Sequence, residues 1–215
     1  MRDCINVGLV TSFDWIMYGL KPNPKAVLKY FDVYGINPDK LLVCGDGFRD
    51  IRLGYLLKNA LKSQKVRVDK VLVDRNNLFI AGADYVVRNL RDLLDLIESE
   101  SCPVVLCDGD NTLWKFYADI TKKGESESKM EKYGSHWTVR AGYFLFTGLD
   151  TVFSRFGIYH RRLFNGKNDD LSKFLHGIGE SESLLIVNSL SSDFTVKRML
   201  GKTGVKINYI RNRAL

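Results

Sequence analysis

Four cysteines are all that the 215 residues offer, and no two of them form a C-x-x-C pair. That excludes a disulfide scaffold and the common zinc-ribbon arrangements. Cys4, Cys44, Cys102 and Cys107 read instead as small core residues in a reducing compartment, with Cys44 and Cys107 inside apolar runs. Proline is as scarce, with four residues, and the 18 glycines show no repeat, so a collagen-like or proline-rich polymer is excluded. No apolar run approaches the ~20 residues of a membrane helix. Residues 1–20 carry Asp3 and Asp14 and lack a small-residue cleavage site, so no signal peptide is expected. Together these absences lead to the expectation of a cytoplasmic protein with no membrane partner.

What is present is the composition of a globular chain, 45% hydrophobic and 27% charged. The length suits one domain with a full core, or a core domain with a small appendage, and is too short for two large independent domains. Lys and Arg exceed Asp and Glu by 32 to 25, a net charge of +7. Such a surface favours anionic partners, although a merely solubilising surface has the same composition.

Short apolar runs alternate with helical patterns. Strands are predicted at residues 7–10, 40–44, 70–73, 83–87, 104–107, 184–187 and 205–210. Helices are predicted at 24–34, 51–61, 90–97 and 193–201, the first ending at Gly35. This rhythm predicts an α/β fold: a three-layer, Rossmann-like parallel sheet with helices on both faces. Residues 115–181 break the rhythm. They include a polar stretch at 122–133, an aromatic-rich stretch at 137–164 and a helical stretch at 170–178. They read as a small helical insertion, leaving 1–114 and 182–215 as the core.

Four short segments carry chemistry. Asp108-Gly109-Asp110-Asn111-Thr112 follows a buried strand. The carboxyl ends of parallel strands are where α/β proteins bind ligands, and paired acids there suit a divalent cation or a nucleophile with an acid/base partner. A calcium loop of the EF-hand type needs Asp or Asn fifth and Gly sixth, where this chain has Thr112 and Leu113. A plain polar turn is the simpler alternative. Gly45-Asp46-Gly47-Phe48-Arg49-Asp50 also follows an apolar strand. It is no dinucleotide fingerprint, because Asp50 replaces the last glycine and Asp46 would repel a pyrophosphate. Asp46 and Asp50 point to a metal site, while Asp50 as a helix N-cap is the plainer reading. Lys21-Pro22-Asn23-Pro24 would fix a lysine in a turn, able to neutralise a phosphate. Asn188-Ser189 ends another strand and offers an amide and a hydroxyl to a phosphate oxygen, or only a turn.

Taken together, these segments resemble the aspartate-nucleophile phosphatases of the haloacid dehalogenase superfamily. Asp108 to Thr112 matches its D-x-D-x-T motif, Asn188-Ser189 its Ser/Thr motif, Lys21 its lysine motif and Asp46 with Asp50 its G-D-x-x-x-D motif. The resemblance spans nearly all of the chain outside 115–181, which takes the place of a cap. It implies a phosphate monoesterase in which Asp108 is the nucleophile and Asp110 the acid and base. It further implies Mg²⁺ held by Asp108, Asp110, Asp46 and Asp50, and phosphoryl oxygens held by Lys21 and Ser189. Thr112, Asn188 and Trp114 are added as substrate contacts; Phe116 and Tyr117 lie nearby. The implied partner is a small phosphorylated substrate.

Three departures stand out. The lysine and G-D-x-x-x-D motifs precede the other two, a rotated order that implies circular permutation, closed within one chain as a monomer or by a swapped homodimer. Gly109 stands where a bulky apolar residue is usual. Asn188 stands directly before Ser189, so either could fill the second motif. A competing reading is a nucleic-acid-binding or nucleic-acid-end-processing protein with this fold, supported by Lys197, Arg198, Lys202, Lys206, Arg211 and Arg213.

Overall fold

The computed structural model describes residues 4–74, 80–101, 104–109, 112–114 and 169–210. The apolar runs become strands β1 (Ile5–Val10), β2 (Lys40–Gly45), β3 (Arg67–Val73), β4 (Tyr85–Val87), β5 (Val104–Asp108), β6 (Leu184–Asn188) and β7 (Ile207–Ile210). The helices are α1 (Ser12–Tyr18), α2 (Lys25–Tyr34), α3 (Phe48–Ala60), α4 (Leu90–Ser99), α5 (Asp169–Glu180) and α6 (Asp193–Gly201). All seven strands pair in parallel, in the order β4-β3-β2-β5-β6-β1-β7. The predicted three-layer, Rossmann-like α/β architecture is therefore the one observed.

Side-chain alternation divides the sheet's apolar residues between two faces. Leu41, Val43, Val104, Leu106 and Ile186 face α2 and α3, meeting Val27, Phe31, Leu53 and Leu57, with Trp15 of α1 in the same cluster. Leu42, Cys44, Val105, Cys107 and Val187 face the other way, against Leu93, Phe174, Ile178 and Val196 of α4, α5 and α6. Both faces are covered, which is why the central strands read as continuous apolar runs. Among the described residues, no helix is long and apolar enough to cross a membrane.

Several boundaries differ from the sequence pattern. Helix α1 is unpredicted, being only seven residues long, but its start carries a signal: the Thr11 backbone N–H donates to the Asp14 carboxylate at 2.8 Å. Strand β3 begins three residues early because its charges are paired. Arg67 Nε meets Asp69 at 2.9 Å and Lys70 Nζ meets Asp84 at 2.5 Å. Helix α3 begins at Phe48, with Gly47 as its N-cap, so Asp50 lies inside the first turn and is not the cap. Helix α5, grouped with the insertion by sequence, puts Leu171, Phe174, Leu175 and Ile178 into the core. The rest of the insertion, residues 115–168, lies outside the described residues. Cys44 and Cys107 are buried free thiols as expected, whereas Cys4 is exposed. Gly35 ends α2 at φ +62°, a left-handed conformation that favours glycine, as its place in the sequence predicts.

Candidate active site

Parallel pairing brings the carboxyl ends of β2, β5, β6 and β1 to one edge. Cys44 lies opposite Cys107, which sets Gly45 beside Asp108; Asp108 lies opposite Asn188, and Asn188 opposite Val10. Strand β5 is the switch point, with first-half strands β2, β3 and β4 on one side and β6, β1 and β7 on the other. Ligands of open α/β sheets bind in the crevice at such a point.

The acids converge there. One carboxylate oxygen from each of Asp46, Asp50 and Asp108 lies within 4.8 Å of the others. Each is placed by a different local rule. Asp108 is the last residue of β5, and its neighbours Val104 and Leu106 face α2 and α3. Asp46 follows β2 directly, and Asp50 hangs from the first turn of α3. Asp50 and Asp108 are buried, at 4% and 8% exposure, while Asp46 is half-buried.

Lys21 ties the cluster together. Its ammonium donates to Asp108, to Asp50 at 3.0 Å and to the Asn188 carbonyl at 3.3 Å. It comes from the loop between α1 and α2, whose following turn is closed by Asn23 N donating to the Leu20 carbonyl at 3.0 Å. Burial alone would pull its pKa down, but Asp108 and Asp50 outweigh that and hold it above the ordinary 10.5. It is a fixed cation over any accessible pH. Three carboxylates against one ammonium leave two negative charges among the described side chains, which a divalent cation would neutralise. Hard oxygen donors suit Mg²⁺ or a similar ion. Cys107, one residue before Asp108, offers no competing nucleophile: burial and then the adjacent Cys44 thiol push its pKa well up.

Glycine at position 45 is a requirement of this geometry. A Cβ there would lie 2.2 Å from both Cβ and Cγ of Asp50. Gly45→Ala should therefore push Asp50 out of the cluster. Calorimetric titration with Mg²⁺ should show affinity weakened about 10- to 100-fold, the usual cost of disturbing a ligand's support.

The structure places the remaining sequence-derived residues unequally. Asn188 sits opposite Asp108, and its side-chain Oδ1 is buried with no hydrogen-bond partner among the described residues. Ser189 is fully buried, its Cβ 3.2 Å from where a Gly109 Cβ would lie. Its N–H donates to the Val10 carbonyl at 3.0 Å, and its hydroxyl accepts from Ser191 N at 3.0 Å. Register, which no single sequence reveals, thus sets Asn188 rather than Ser189 beside Asp108. Thr112 is fully buried under the turn, where Leu113 N and Trp114 N both donate to the Gly109 carbonyl at 3.0 and 3.1 Å. Asp110 lies outside the described residues, as do Phe116, Tyr117, Arg211 and Arg213.

Trp114 is a core residue. It is 1% exposed and joins the cluster beneath α4, α5 and α6, not a surface open to substrate. Its burial explains Gly109. A Cβ at 109 would meet the indole Cζ2 and Cη2 at 2.6 and 2.8 Å. Gly109→Ala should lower stability by about 1–3 kcal/mol, the usual cost of overpacking, read as a shift in urea midpoint. Trp114→Phe lacks those two ring atoms. In the double variant most of that added cost should vanish, which a double-mutant cycle would measure.

No family model, curated protein or solved structure matches the chain. Of the basic segment that suggests nucleic acid, Lys197 already has local partners: Asp193 Oδ2 lies at 3.8 Å and the Tyr209 ring centroid at 5.2 Å.

Proposed function

We propose that the protein is a magnesium-dependent phosphatase that hydrolyses a phosphate monoester through an aspartyl-phosphate on Asp108. The observation that carries this reading is the meeting of Asp46, Asp50 and Asp108 within 4.8 Å, with Lys21 bridging Asp50 and Asp108. Those residues are spread over positions 21 to 108 of the sequence, yet one chain assembles them. The rotated motif order supports a circularly permuted member of the haloacid dehalogenase superfamily, since joining residue 215 to residue 1 would restore the family's order. A pure binding module would have no need of a buried lysine clamped between two buried carboxylates.

In this mechanism an Asp108 carboxylate oxygen attacks phosphorus as the bond to the leaving oxygen breaks. Asp110, by resemblance, gives that oxygen a proton and later takes one from the water that attacks phosphorus. The Asp108–phosphorus bond then breaks and inorganic phosphate leaves. Lys21 orients Asp108 and offsets charge on the phosphoryl oxygens. The Asn188 side chain, opposite Asp108 in the register, would hold a phosphoryl oxygen by donating from its Nδ2–H₂. Asp46, Asp50 and Asp108 would hold Mg²⁺, which when bound supplies charge neutralisation at the phosphoryl group. The free, buried Cys44 and Cys107 fit a reducing, cytoplasmic setting.

The test is hydrolysis of phenyl phosphate. Turnover is expected with Mg²⁺ and should disappear on chelation with EDTA, returning when Mg²⁺ is restored in excess. A folded, Mg²⁺-loaded protein with no turnover on any aryl phosphate would defeat the reading.

A further inference from the structure

Arg49 stands between Asp46 and Asp50 in sequence, yet it pairs with neither. Its guanidinium Nε is buried with no hydrogen-bond partner among the described residues. An arginine seldom gives up water at one nitrogen without another contact in exchange. The nearer acid in sequence is already taken. Asp50 is held by Lys21.

The position of Arg49 on α3 shows where it faces. At 100° per residue, Arg49 and Ile51 lie roughly 160° apart around the helix. Ile51 packs toward the β4 edge, with its Cγ2 3.7 Å from where a Gly82 Cβ would lie. Arg49 therefore occupies the opposite flank, toward β5 and the Lys21 loop. Leu53, one turn on, is fully buried on that side, while Phe48 and Tyr55 point to solvent. Arg49 is thus half-buried in the first turn of α3, one residue from a cluster ligand. It stands outside the group held by Lys21.

We propose that Arg49 binds a second anionic group, a carboxylate or phosphate, on a substrate whose phosphate monoester lies at Asp108. This rests on the phosphatase reading and narrows it to substrates with two anionic ends. The planar fork of arginine suits either anion through paired hydrogen bonds. Lys21 cannot take this role, because it is committed to Asp50, Asp108 and the Asn188 carbonyl.

Three probes test it: phenyl phosphate, 4-carboxyphenyl phosphate and benzene-1,4-diyl bisphosphate. Wild type should favour the latter two in kcat/KM. Arg49→Gln should lower kcat/KM on those two about tenfold more than on phenyl phosphate, the scale of a charged hydrogen bond. Arg49→Lys should keep part of the preference. A larger loss on the bisphosphate assigns a phosphate to Arg49, and a larger loss on the carboxylate probe assigns a carboxylate. Equal losses on all three probes, or no loss on any, would overturn the proposal. Calorimetric binding of the same probes to Asp108→Asn, with and without Arg49→Gln, reads the contact without turnover. Arg49-dependent binding in a protein that hydrolyses nothing would keep the contact and defeat the phosphatase. Hydrolysis of phenyl phosphate without Arg49-dependent preference would do the reverse.

Discussion

Asp108→Asn is expected to lose at least ~10⁴-fold in kcat while keeping the fold, as loss of a covalent nucleophile does elsewhere. The amide has nearly the shape of the carboxylate but cannot form the acyl-phosphate bond. The fold should survive because Lys21 keeps Asp50 at 3.0 Å and the Asn188 carbonyl at 3.3 Å. One of three crowded negative charges is also removed, which relieves repulsion in the cluster. The melting temperature should therefore fall by no more than about 4 °C, equivalent to roughly 1 kcal/mol or less for a domain of this size. A variant that instead unfolds would show that Asp108 serves the architecture first.

Lys21→Met should cost both stability and activity. Methionine has similar length and no charge, so Asp50 and Asp108 would face each other without a cation. Their side chains are only 6% and 11% exposed. Breaking one partner out of a buried ion pair typically costs about 3–5 kcal/mol, readable as a urea midpoint shift. Saturating Mg²⁺ should return part of that loss, because an ion bound only to the folded state stabilises it. The pH dependence has a definite sign. Lys21 titrates above its ordinary 10.5 when folded, so its contribution is complete below that value and is lost as pH rises through the raised one. On the lysine's account, the gap between wild type and Lys21→Met should hold from about pH 7 to pH 10.

Much of the site could be read from the sequence because the chemistry is local. Asp108, Asp46, Asp50 and Lys21 each sit in a short motif at the end of an apolar run or in a proline turn, and the structure brings all four together. The three-layer fold was legible for the same reason: strands covered on both faces are apolar throughout. What escaped depends on distant packing. The need for Gly45 arises from the Asp50 side chain, five residues along and one turn into α3. Trp114 reads as a substrate contact until the space above Gly109 proves to hold its indole. The choice between Asn188 and Ser189 depends on the register of β5 against β6, and alternation makes a one-residue shift decisive. The early start of β3 is hidden in the sequence because its charges find partners only in three dimensions.

Covalent chemistry at Asp108 is the central step of the proposed reaction. The most direct measurement is trapping of the intermediate. The protein is mixed with phenyl phosphate and Mg²⁺, quenched in acid, and reduced with borohydride, which converts an aspartyl phosphate to homoserine. Peptide mass spectrometry should then find homoserine at position 108, and none in samples lacking Mg²⁺ or substrate. Steady hydrolysis of phenyl phosphate with residue 108 unmodified, or with the label on another residue, would contradict it.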